Sequence, residues 1–436
     1  MRHPKVQEFE KLLEELRLHT LNKYDYGAKG IVSALIRARK ALADAVRDIK
    51  RLPDDKKLAA REPDSFDKIR QLCPRGPRRL WQRFEPTLYA DRVEGALMGR
   101  MAGCILGAAV ELWQPEQMEK LARENGDSFP PTDYWKYVPD PYRLHCGVNP
   151  TEAFTRHKMN GVPADDDIAY TLLGLLVVEQ YGSDFTIKQL GEAWLKYIPI
   201  ACTAEKVALD NIKKGISAEE AGAIDNPYDT WIGAGIRADP WAYMAPGWPE
   251  KAAAMAWRDG MLTHRRTGVY AEMFFAAAIS AAFAVDDPVQ ALQIGLTHIP
   301  AHCTIAREIR WALKIAPEIH DFKQARKAVE ERFPNMHHVH AINNACLTIW
   351  GITIGRRDFT RVISETVAMG MDCDCTTATA GSIIGAVVGK RGIPAHWTRR
   401  FNNTIWSYLN GHRKFTITGV LNRFARQARR IHAASH

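Results

Sequence analysis

Two clusters of carboxylates are the residues of this chain whose types and spacing could do chemistry. The first occupies residues 165–167, three consecutive aspartates directly before an apolar stretch at 168–178. The second occupies residues 372–376, an Asp-x-Asp pattern followed by Cys and Thr, directly before a stretch of small residues at 378–388. Each cluster therefore stands at the predicted start of a helix, where one aspartate stabilises the helix by about 1 kcal/mol as an N-cap.

Capping explains one aspartate in each cluster and gives no reason for the others. Neighbouring carboxylates repel one another, and the cluster at 372–376 has no Lys or Arg within seven residues on either side. A divalent cation held between the carboxylates would offset this repulsion, and hard oxygen donors suit Mg²⁺, Ca²⁺ or Mn²⁺. From the residues alone, capping and metal binding both stay open for each cluster, and the presence of two such clusters favours metal.

A third acid, Glu111, follows a predicted helix of small and apolar residues at 95–110. An acid at the C-terminal end of a helix is unfavourable because it meets the negative end of the helix dipole. We therefore expect Glu111 to have a use, either as a general acid/base or as an outer metal ligand.

Small-residue helices are the elements that must position these acids. They are predicted at 95–110, 168–180, 273–284 and 378–389, and Ala or Gly at each turn lets helix axes approach closely. Strand signals are sparse, so the predicted class is all-α. An irregular segment at 125–163 contains six prolines and several aromatic residues, and so long an irregular segment is typical of a lid over a site.

The first 86 residues are predicted to form a separate helical extension, and residues 87–436 the main domain. Apolar residues recur at helical spacing between Ile31 and Leu52, with Arg and Lys between them. Breaks follow at 53–55 and at 73–77, where Pro and Gly cluster. We expect this extension to be a helical hairpin whose apolar residues pack on the main domain.

The charge of the chain is unevenly distributed. Of 436 residues, 59 are Lys or Arg and 50 are Asp or Glu, for a net charge of +9, but no acid follows Asp374 and ten bases do. Such a segment is either a nucleic-acid arm or the solvated basic face of a last helix, and we favour the solvated face. With no apolar signal region, no apolar run long enough to span a membrane and eight scattered cysteines, we expect a cytoplasmic protein with reduced thiols and no membrane partner.

The residues around the acids resemble the ADP-ribosylglycohydrolase family in three motifs. Residues 103–111, Gly-Cys-Ile-Leu-Gly-Ala-Ala-Val-Glu, are similar to the family's Gly-Asp-Ala-Leu-Gly-Ala-Pro-Val-Glu, and residues 165–168 stand in the place of its Thr-Asp-Asp-Thr. Residues 370–381 resemble its Gly-Gly-Asp-Thr-Asp-Thr-Thr motif, and residues 393–397 resemble its closing Ile-Pro segment. The resemblance covers about residues 88–430 and is to a branch with triple-Asp and Asp-x-Asp-Cys variants.

This resemblance implies a compact, multi-helix, all-α domain with two Mg²⁺ ions, or Mn²⁺ or Ca²⁺ in their place. Asp165 and Cys375 stand where the family has threonine, and Cys375 would either ligate metal or pack. Glu111 would act in catalysis, with Asp166 and Asp372 as further catalytic acids. The implied metal ligands are Asp165, Asp166, Asp167, Asp372, Asp374, Cys375 and Thr376.

The resemblance also places part of the substrate pocket in a Trp-rich stretch at 228–241. There Arg237 and Asp239 would hydrogen-bond the substrate, Trp231 or Trp241 would stack on a sugar or base, and His264 would line the pocket. For the tryptophans core packing is the alternative, and for His264 a structural role.

Three functions follow as hypotheses. The first is a glycohydrolase that cleaves an N- or O-glycosidic bond to ADP-ribose, the second a glycosidase acting on a simple furanoside or nucleoside, and the third a non-catalytic ligand-binding paralogue. The expected partner is a small-molecule or glycosyl substrate, including an ADP-ribosylated protein, and not a nucleic acid.

Overall fold

The structure is a computed structural model, and it describes residues 1–434. The described chain divides into two compact units. The smaller unit contains Met1–Ala60 together with Arg332–Met336, and the larger unit contains the remainder. The predicted boundary at residue 86 stays a prediction, and residues 61–86 belong to the larger unit.

Helices dominate both units, which confirms the predicted all-α class. The α-helices are, in chain order, α1 (Gln7–Asp25), α2 (Ile31–Lys50), α3 (Lys56–Arg61), α4 (Phe66–Leu72), α5 (Pro86–Ala108), α6 (Pro115–Asn125), α7 (Asp166–Tyr181), α8 (Ile187–Tyr197), α9 (Thr203–Lys213), α10 (Ala218–Ala221), α11 (Asp239–Met244), α12 (Pro249–Thr263), α13 (Thr267–Ala282), α14 (Pro288–Gly295), α15 (Thr304–Ile315), α16 (Phe322–Arg332), α17 (Ala341–Gly355), α18 (Phe359–Ala368), α19 (Cys373–Val388) and α20 (Ile417–Ala433). Short 3-10 helices cover Thr151–Phe154, Ile232–Arg237, Leu296–His298, Ala316–Glu318, Lys390–Gly392 and Ala395–Trp397.

Strands form two small antiparallel hairpins in the described chain. The first joins β1 (Leu144–His145) to β2 (Asn149–Pro150), and the second joins β3 (Thr404–Leu409) to β4 (His412–Thr416). Neither hairpin was predicted, because β1 and β2 have only two residues each and apolar residues do not alternate with polar ones in β3 and β4. The first hairpin lies inside the irregular segment at 125–163 and positions a residue of the site described below.

The helices α5 and α19 pack against each other in opposite directions and at very short range. A Cβ atom on Gly95 would overlap the carbonyl of Gly385, and one on Gly99 would overlap the carbonyl of Gly381. Four residues further along α5, a Cβ on Gly103 would likewise overlap Thr377. Glycine every fourth residue thus removes side chains from one face of α5, as the small-residue pattern predicted, and the C-terminal end of α5 meets the start of α19.

In the smaller unit, Gly27 and Gly30 have positive φ angles of 70° and 86° in the turn between α1 and α2. The large apolar side chains of both helices are exposed, with Val32 and Ile49 at 70% and 68% exposure. That this helical hairpin packs on the main domain stays a prediction.

Within residues 1–434, no helix has both the length and the hydropathy that a membrane-spanning segment requires.

Candidate metal centre

The helix α7 begins at the first aspartate cluster. Asp165 is its N-cap residue, and Oδ1 of Asp165 accepts a hydrogen bond of 2.9 Å from the backbone N–H of Asp167. This is the capping arrangement expected of one aspartate. It leaves Oδ2 of Asp165 and the carboxylate of Asp166 available for other contacts.

The helix α19 begins at the second cluster without such a cap. Gly370 and Met371 have φ angles of 69° and 61°, a sharp left-handed turn directly before Asp372. The backbone N–H of Leu112 donates to the carbonyl of Met371 at 3.0 Å, which joins this turn to the residue after Glu111. The Asp372 side chain forms no capping hydrogen bond. Capping therefore does not account for Asp372.

His145 joins the two clusters to Glu111. Its Nε2 atom is 2.7 Å from Oδ2 of Asp165 and 3.4 Å from Oδ2 of Asp374, and its Nδ1 atom is 3.4 Å from Oε2 of Glu111. The hairpin of β1 and β2 positions the imidazole, and Asn149 of this hairpin donates to the carbonyl of Ala164 at 2.7 Å. The irregular segment at 125–163 thus supplies a buried side chain to the centre of the site.

Arg100 of α5 pairs with the third aspartate of the first cluster. Its Nη2 atom is 3.0 Å from Oδ1 of Asp167, and its Nη1 atom is 2.7 Å from Oδ2 of Asp239. All three side chains are buried. Asp167 is thereby held in place by a guanidinium group, whereas Asp372 and Asp374 have no comparable Arg or Lys partner among the described contacts.

The pKa values within the cluster reflect burial and crowding. Burial and the Asp165 carboxylate raise the pKa of Asp166 to about 7, and burial and Glu111 raise the pKa of Asp372 to about 6. Burial alone would lower the pKa of His145, but its contacts with Asp165 and Glu111 hold that pKa well above the ordinary range. The site therefore favours positive charge, whether from an imidazolium or from a metal ion.

The donor atoms fit a divalent metal ion. Oδ1 of Asp372 and Oδ1 of Asp374 are buried without a hydrogen-bond partner within the described residues, and such orphaned oxygens are costly unless a ligand occupies them. Ligand atoms lie within 4.8 Å of one another in several groups. The groups are Glu111, His145 and Asp374; Asp165, Asp166 and Asp167; His145, Cys146 and Asp165; and Asp167, Asp374 and Cys375.

Two of the predicted metal ligands have protein partners in this geometry. The thiol of Cys375 lies 3.4 Å from Oδ2 of Asp167, and Oγ1 of Thr376 is 3.5 Å from the carbonyl of Cys373. The hydroxyl of the next residue, Thr377, is instead buried without a hydrogen-bond partner within residues 1–434. Ligation by Cys375 or Thr376 stays a prediction.

The predicted substrate-binding residues Arg237 and Trp241 have buried protein partners other than the clustered acids. Arg237 is 1% exposed and contacts Glu205 at 2.6 Å and Asp259 at 2.5 Å. Trp241 is also buried, and its indole N–H donates to Glu272 at 2.9 Å. This network belongs to the protein core, so direct substrate contact by Arg237 and Trp241 has no support in the geometry.

Three further predicted substrate residues have partners of their own. Asp239 accepts from Arg100 and from the Tyr243 hydroxyl, and Nδ1 of buried His264 is 2.7 Å from Oγ1 of Thr263. Trp231 is half-buried and stacks on His337 with ring centroids 4.2 Å apart. For Asp239 and His264 the geometry fits the structural alternative, and a substrate role for Trp231 stays a prediction.

A small cavity opens beside Asp166. The other residues that line it are Cys146, Ile200, Ala201, Cys202 and Tyr408. A larger groove elsewhere in the same unit is lined by Phe66, Arg70, Arg78 and His298 among others and contains none of the clustered acids. The cavity beside Asp166 has a volume of about 10 Å³, enough for about one water molecule, so it places solvent next to this carboxylate but is too small to hold a sugar.

The sequence did not identify His145, Arg100 or Cys146 as residues of the site. The thiol of Cys146 donates to Asp166 at 3.4 Å. The irregular segment at 125–163 was the signal for His145 and Cys146, since it was recognised as functional without a residue being chosen. Arg100 carried a signal too, because it is the one base within the small-residue stretch at 95–110. A charge in an otherwise apolar buried helix requires a buried partner.

Comparisons with known proteins agree with this geometry. The family model described as ADP-ribosylglycohydrolase matches residues 85–430. A solved structure described as an "ADP-ribosylglycohydrolase-related protein complex" is similar to this chain with a TM-score of 0.54 and 20% sequence identity. The similarity covers 79% of this chain and 99% of that one, and it concerns the fold alone. No curated protein matches the sequence.

Proposed function

Because the chain belongs to the ADP-ribosylglycohydrolase family, we propose that it is a metal-dependent hydrolase that cleaves an N- or O-glycosidic bond to ADP-ribose or a related ribosyl group. The observation that carries this proposal is the meeting of Glu111, Asp165 and Asp374 around His145, with the orphaned oxygens of Asp372 and Asp374 beside them. Such a buried acidic centre next to a cavity suits a cation and a reaction that develops positive charge.

The residues that would hold metal are Asp165, Asp166, Asp372 and Asp374. Asp167 contributes less, because one of its oxygens is paired with Arg100. We propose two Mg²⁺ ions, with Mn²⁺ or Ca²⁺ as alternatives, because carboxylate oxygens suit all three ions. When bound, the metal supplies positive charge that orients the hydroxyl groups of a ribosyl ring.

Glu111 is the acid best placed to transfer a proton. Its side chain is 26% exposed, unlike the buried carboxylates of Asp165, Asp372 and Asp374, so it can meet both solvent and substrate. As a general base it would take a proton from the attacking water, whose oxygen bonds to the anomeric carbon while the glycosidic bond breaks. The leaving group would depart with the electron pair of that bond and take up a proton from solvent. The surrounding carboxylates would stabilise the oxocarbenium-like transition state by their negative charge.

The second candidate is a glycosidase that acts on a simple furanoside or nucleoside. None of the six residues that line the small cavity beside Asp166 is Lys or Arg. Backbone N–H groups also bind phosphate, so this lining favours the second candidate only slightly.

The proposed partner is therefore a small-molecule or glycosyl substrate, including an ADP-ribosylated protein, and not a nucleic acid. Bases in the C-terminal segment pair with acids of the same unit, as Lys390 does with Glu94 and Arg423 with Glu179. The eight cysteines form no disulfide with one another, and a cytoplasmic location with reduced thiols is part of this proposal.

Turnover of two substrate panels tests the proposal. ADP-ribosylated protein and aryl furanosides are each incubated with the enzyme in Mg²⁺, in Mn²⁺ and in EDTA. Release from the first panel supports ADP-ribosyl hydrolysis, and release from the second alone supports the glycosidase. Absence of release from both, despite measurable metal binding, would establish the non-catalytic alternative.

A further inference from the structure

The helices α1 and α2 present large apolar side chains that are exposed. Neither helix contains a buried residue. In α2, Leu35, Leu42 and Val46 are 38–52% exposed, and in α1 Phe9 and Leu13 are 61% and 47% exposed. An isolated helix of this length is marginal in water, so most of its stability comes from packing of its apolar face. Contiguous exposed apolar surface of this kind marks an interaction site.

The apolar residues of α2 follow the spacing of a helix that packs against other helices. Val32, Leu35, Leu42, Val46 and Ile49 fall on the a and d positions of a heptad repeat. One position of the series, residue 39, is an arginine. This pattern produces a continuous seam along one face, which in helical bundles packs against the seam of a neighbouring helix.

The two helices carry opposite net charge. Within Gln7–Asp25 there are five acids and three bases, and within Ile31–Lys50 there are five bases and two acids. An acidic helix and a basic helix on one hairpin make that hairpin complementary to a second copy of itself. In a two-fold symmetric pair, each acidic helix meets the basic helix of the other copy, and the favourable contact occurs twice.

We propose that α1 and α2 form the interface of a homodimer, in which α1 of one copy lies against α2 of the other. The hairpin is large enough for this purpose. The helices contain 19 and 20 residues, whereas an interface of ordinary size uses roughly 20–30 residues from each partner. The seam supplies the apolar centre of this interface, and the charged flanks select the antiparallel match of acidic with basic helix.

Two matched double variants of the full chain test the proposal. Leu35→Glu with Leu42→Glu places two charges in the seam, and Ala34→Glu with Ala41→Glu places the same two charges outside it. All four positions are exposed, so neither variant disturbs a buried core, and circular dichroism checks that the helices remain. Molar mass is measured by light scattering after gel filtration over a range of concentrations.

We expect wild type and the alanine-site variant to have a mass near twice 49.1 kDa, and the seam variant to have a mass near 49.1 kDa. A wild-type monomer at every concentration overturns the proposal, and so does a seam variant that remains dimeric. The pairing of α1 with α2 is tested by Leu13→Glu in α1. This substitution should also give the monomer, and an undiminished dimer would contradict the α1–α2 contact.

Discussion

The Nε2 atom of His145 lies 2.7 Å from Oδ2 of Asp165, so a short β-hairpin and the start of α7 meet in a single buried hydrogen bond. The same imidazole nitrogen is 3.4 Å from Asp374 of α19. His145 thus connects three parts of the chain that are distant in sequence. Its positive charge among buried carboxylates has the same sign as the ions that the site would bind, which leads to the first prediction.

His145→Ala is expected to destabilise the metal-free protein by about 1–3 kcal/mol, because it leaves a buried carboxylate oxygen of Asp165 without its partner. Chemical unfolding in EDTA measures this change. Added Mn²⁺ should restore more stability to the variant than to wild type, because the ion replaces the lost positive charge. The control is His157→Ala, an exposed histidine of the same segment. Equal stability of His145→Ala and wild type in EDTA would contradict the role given to this contact.

Asp372→Asn is expected to weaken metal binding at least about tenfold and to abolish most of the activity while the fold is retained. The substitution neutralises a buried carboxylate that has an unpartnered oxygen. Isothermal titration calorimetry with Mn²⁺ measures the affinity, and circular dichroism checks the fold. Asp67→Asn, on the exposed face of α4, is the matched control. Retained activity in Asp372→Asn would refute the assignment of this residue to the metal centre.

Glu111→Gln is expected to lower kcat by about 10²–10⁴, the usual contribution of a general acid or base. Metal affinity should fall less than in Asp372→Asn, since Glu111 is partly exposed, whereas Asp372 is buried. Steady-state kinetics and calorimetry on the same samples separate the two effects. The control is Glu116→Gln at the exposed start of α6. A kcat within about twofold of wild type would remove Glu111 from the proposed mechanism.

Gly99→Ala is expected to destabilise the protein by about 1–3 kcal/mol, because the new methyl group would overlap the carbonyl of Gly381 and force α5 away from α19. Urea unfolding measures the change. Gly235→Ala is a suitable control, because a Cβ at that position meets only ordinary van der Waals contacts. If both variants unfold at the same urea concentration, the close approach of the two helices is not as the structure describes it.

The stability of the protein should fall between pH 6.5 and pH 4 in part because of His298. Burial, together with the neighbouring Arg78, lowers the pKa of His298 from 6.5 to about 4 in the folded protein. The unfolded chain therefore binds a proton first as the pH falls, and the native state loses stability over this interval, by up to about 3 kcal/mol in total.

The free energy of unfolding is measured for wild type and for His298→Gln at pH 7, 5.5 and 4.5. The contribution of His298 is the difference between the two slopes of this free energy against pH. The variant should show the smaller loss. His19→Gln, at an exposed position of α1, should follow wild type. Parallel curves for wild type and His298→Gln would show that His298 titrates alike in the folded and unfolded chains.

The sequence predicted the acids of the site but not the bases that accompany them. The aspartates at 165–167 and at 372–374 were recognisable because each cluster is local in the chain and stands at a helix start. His145 and Arg100 reach these acids only through tertiary contacts, which no spacing along the chain reveals. The absence of bases near the acids in sequence was therefore a poor guide to their neighbours in space.

Arg237 and Asp239 show the opposite difficulty. Both are polar residues in an irregular stretch, a pattern typical of binding residues, but each is fully buried against charged partners from other helices. Burial of this kind depends on Glu205, Asp259 and Arg100, which lie far away in sequence. The helical class was predictable because the small-residue pattern repeats over whole helices, whereas the hairpins of β1–β4 are too short to leave such a pattern.

The close packing of α5 on α19 also determines when the candidate metal centre can form during folding. Gly95 and Gly99 contact residues near the far end of the larger unit, so α5 cannot pack until α19 has been synthesised. Residues 109–372 separate these two helices in the sequence. Contacts between such distant segments form late and slowly. A growing chain on the ribosome would therefore expose the apolar and glycine surface of α5 until α19 has emerged, and such transiently exposed apolar surface is prone to aggregation.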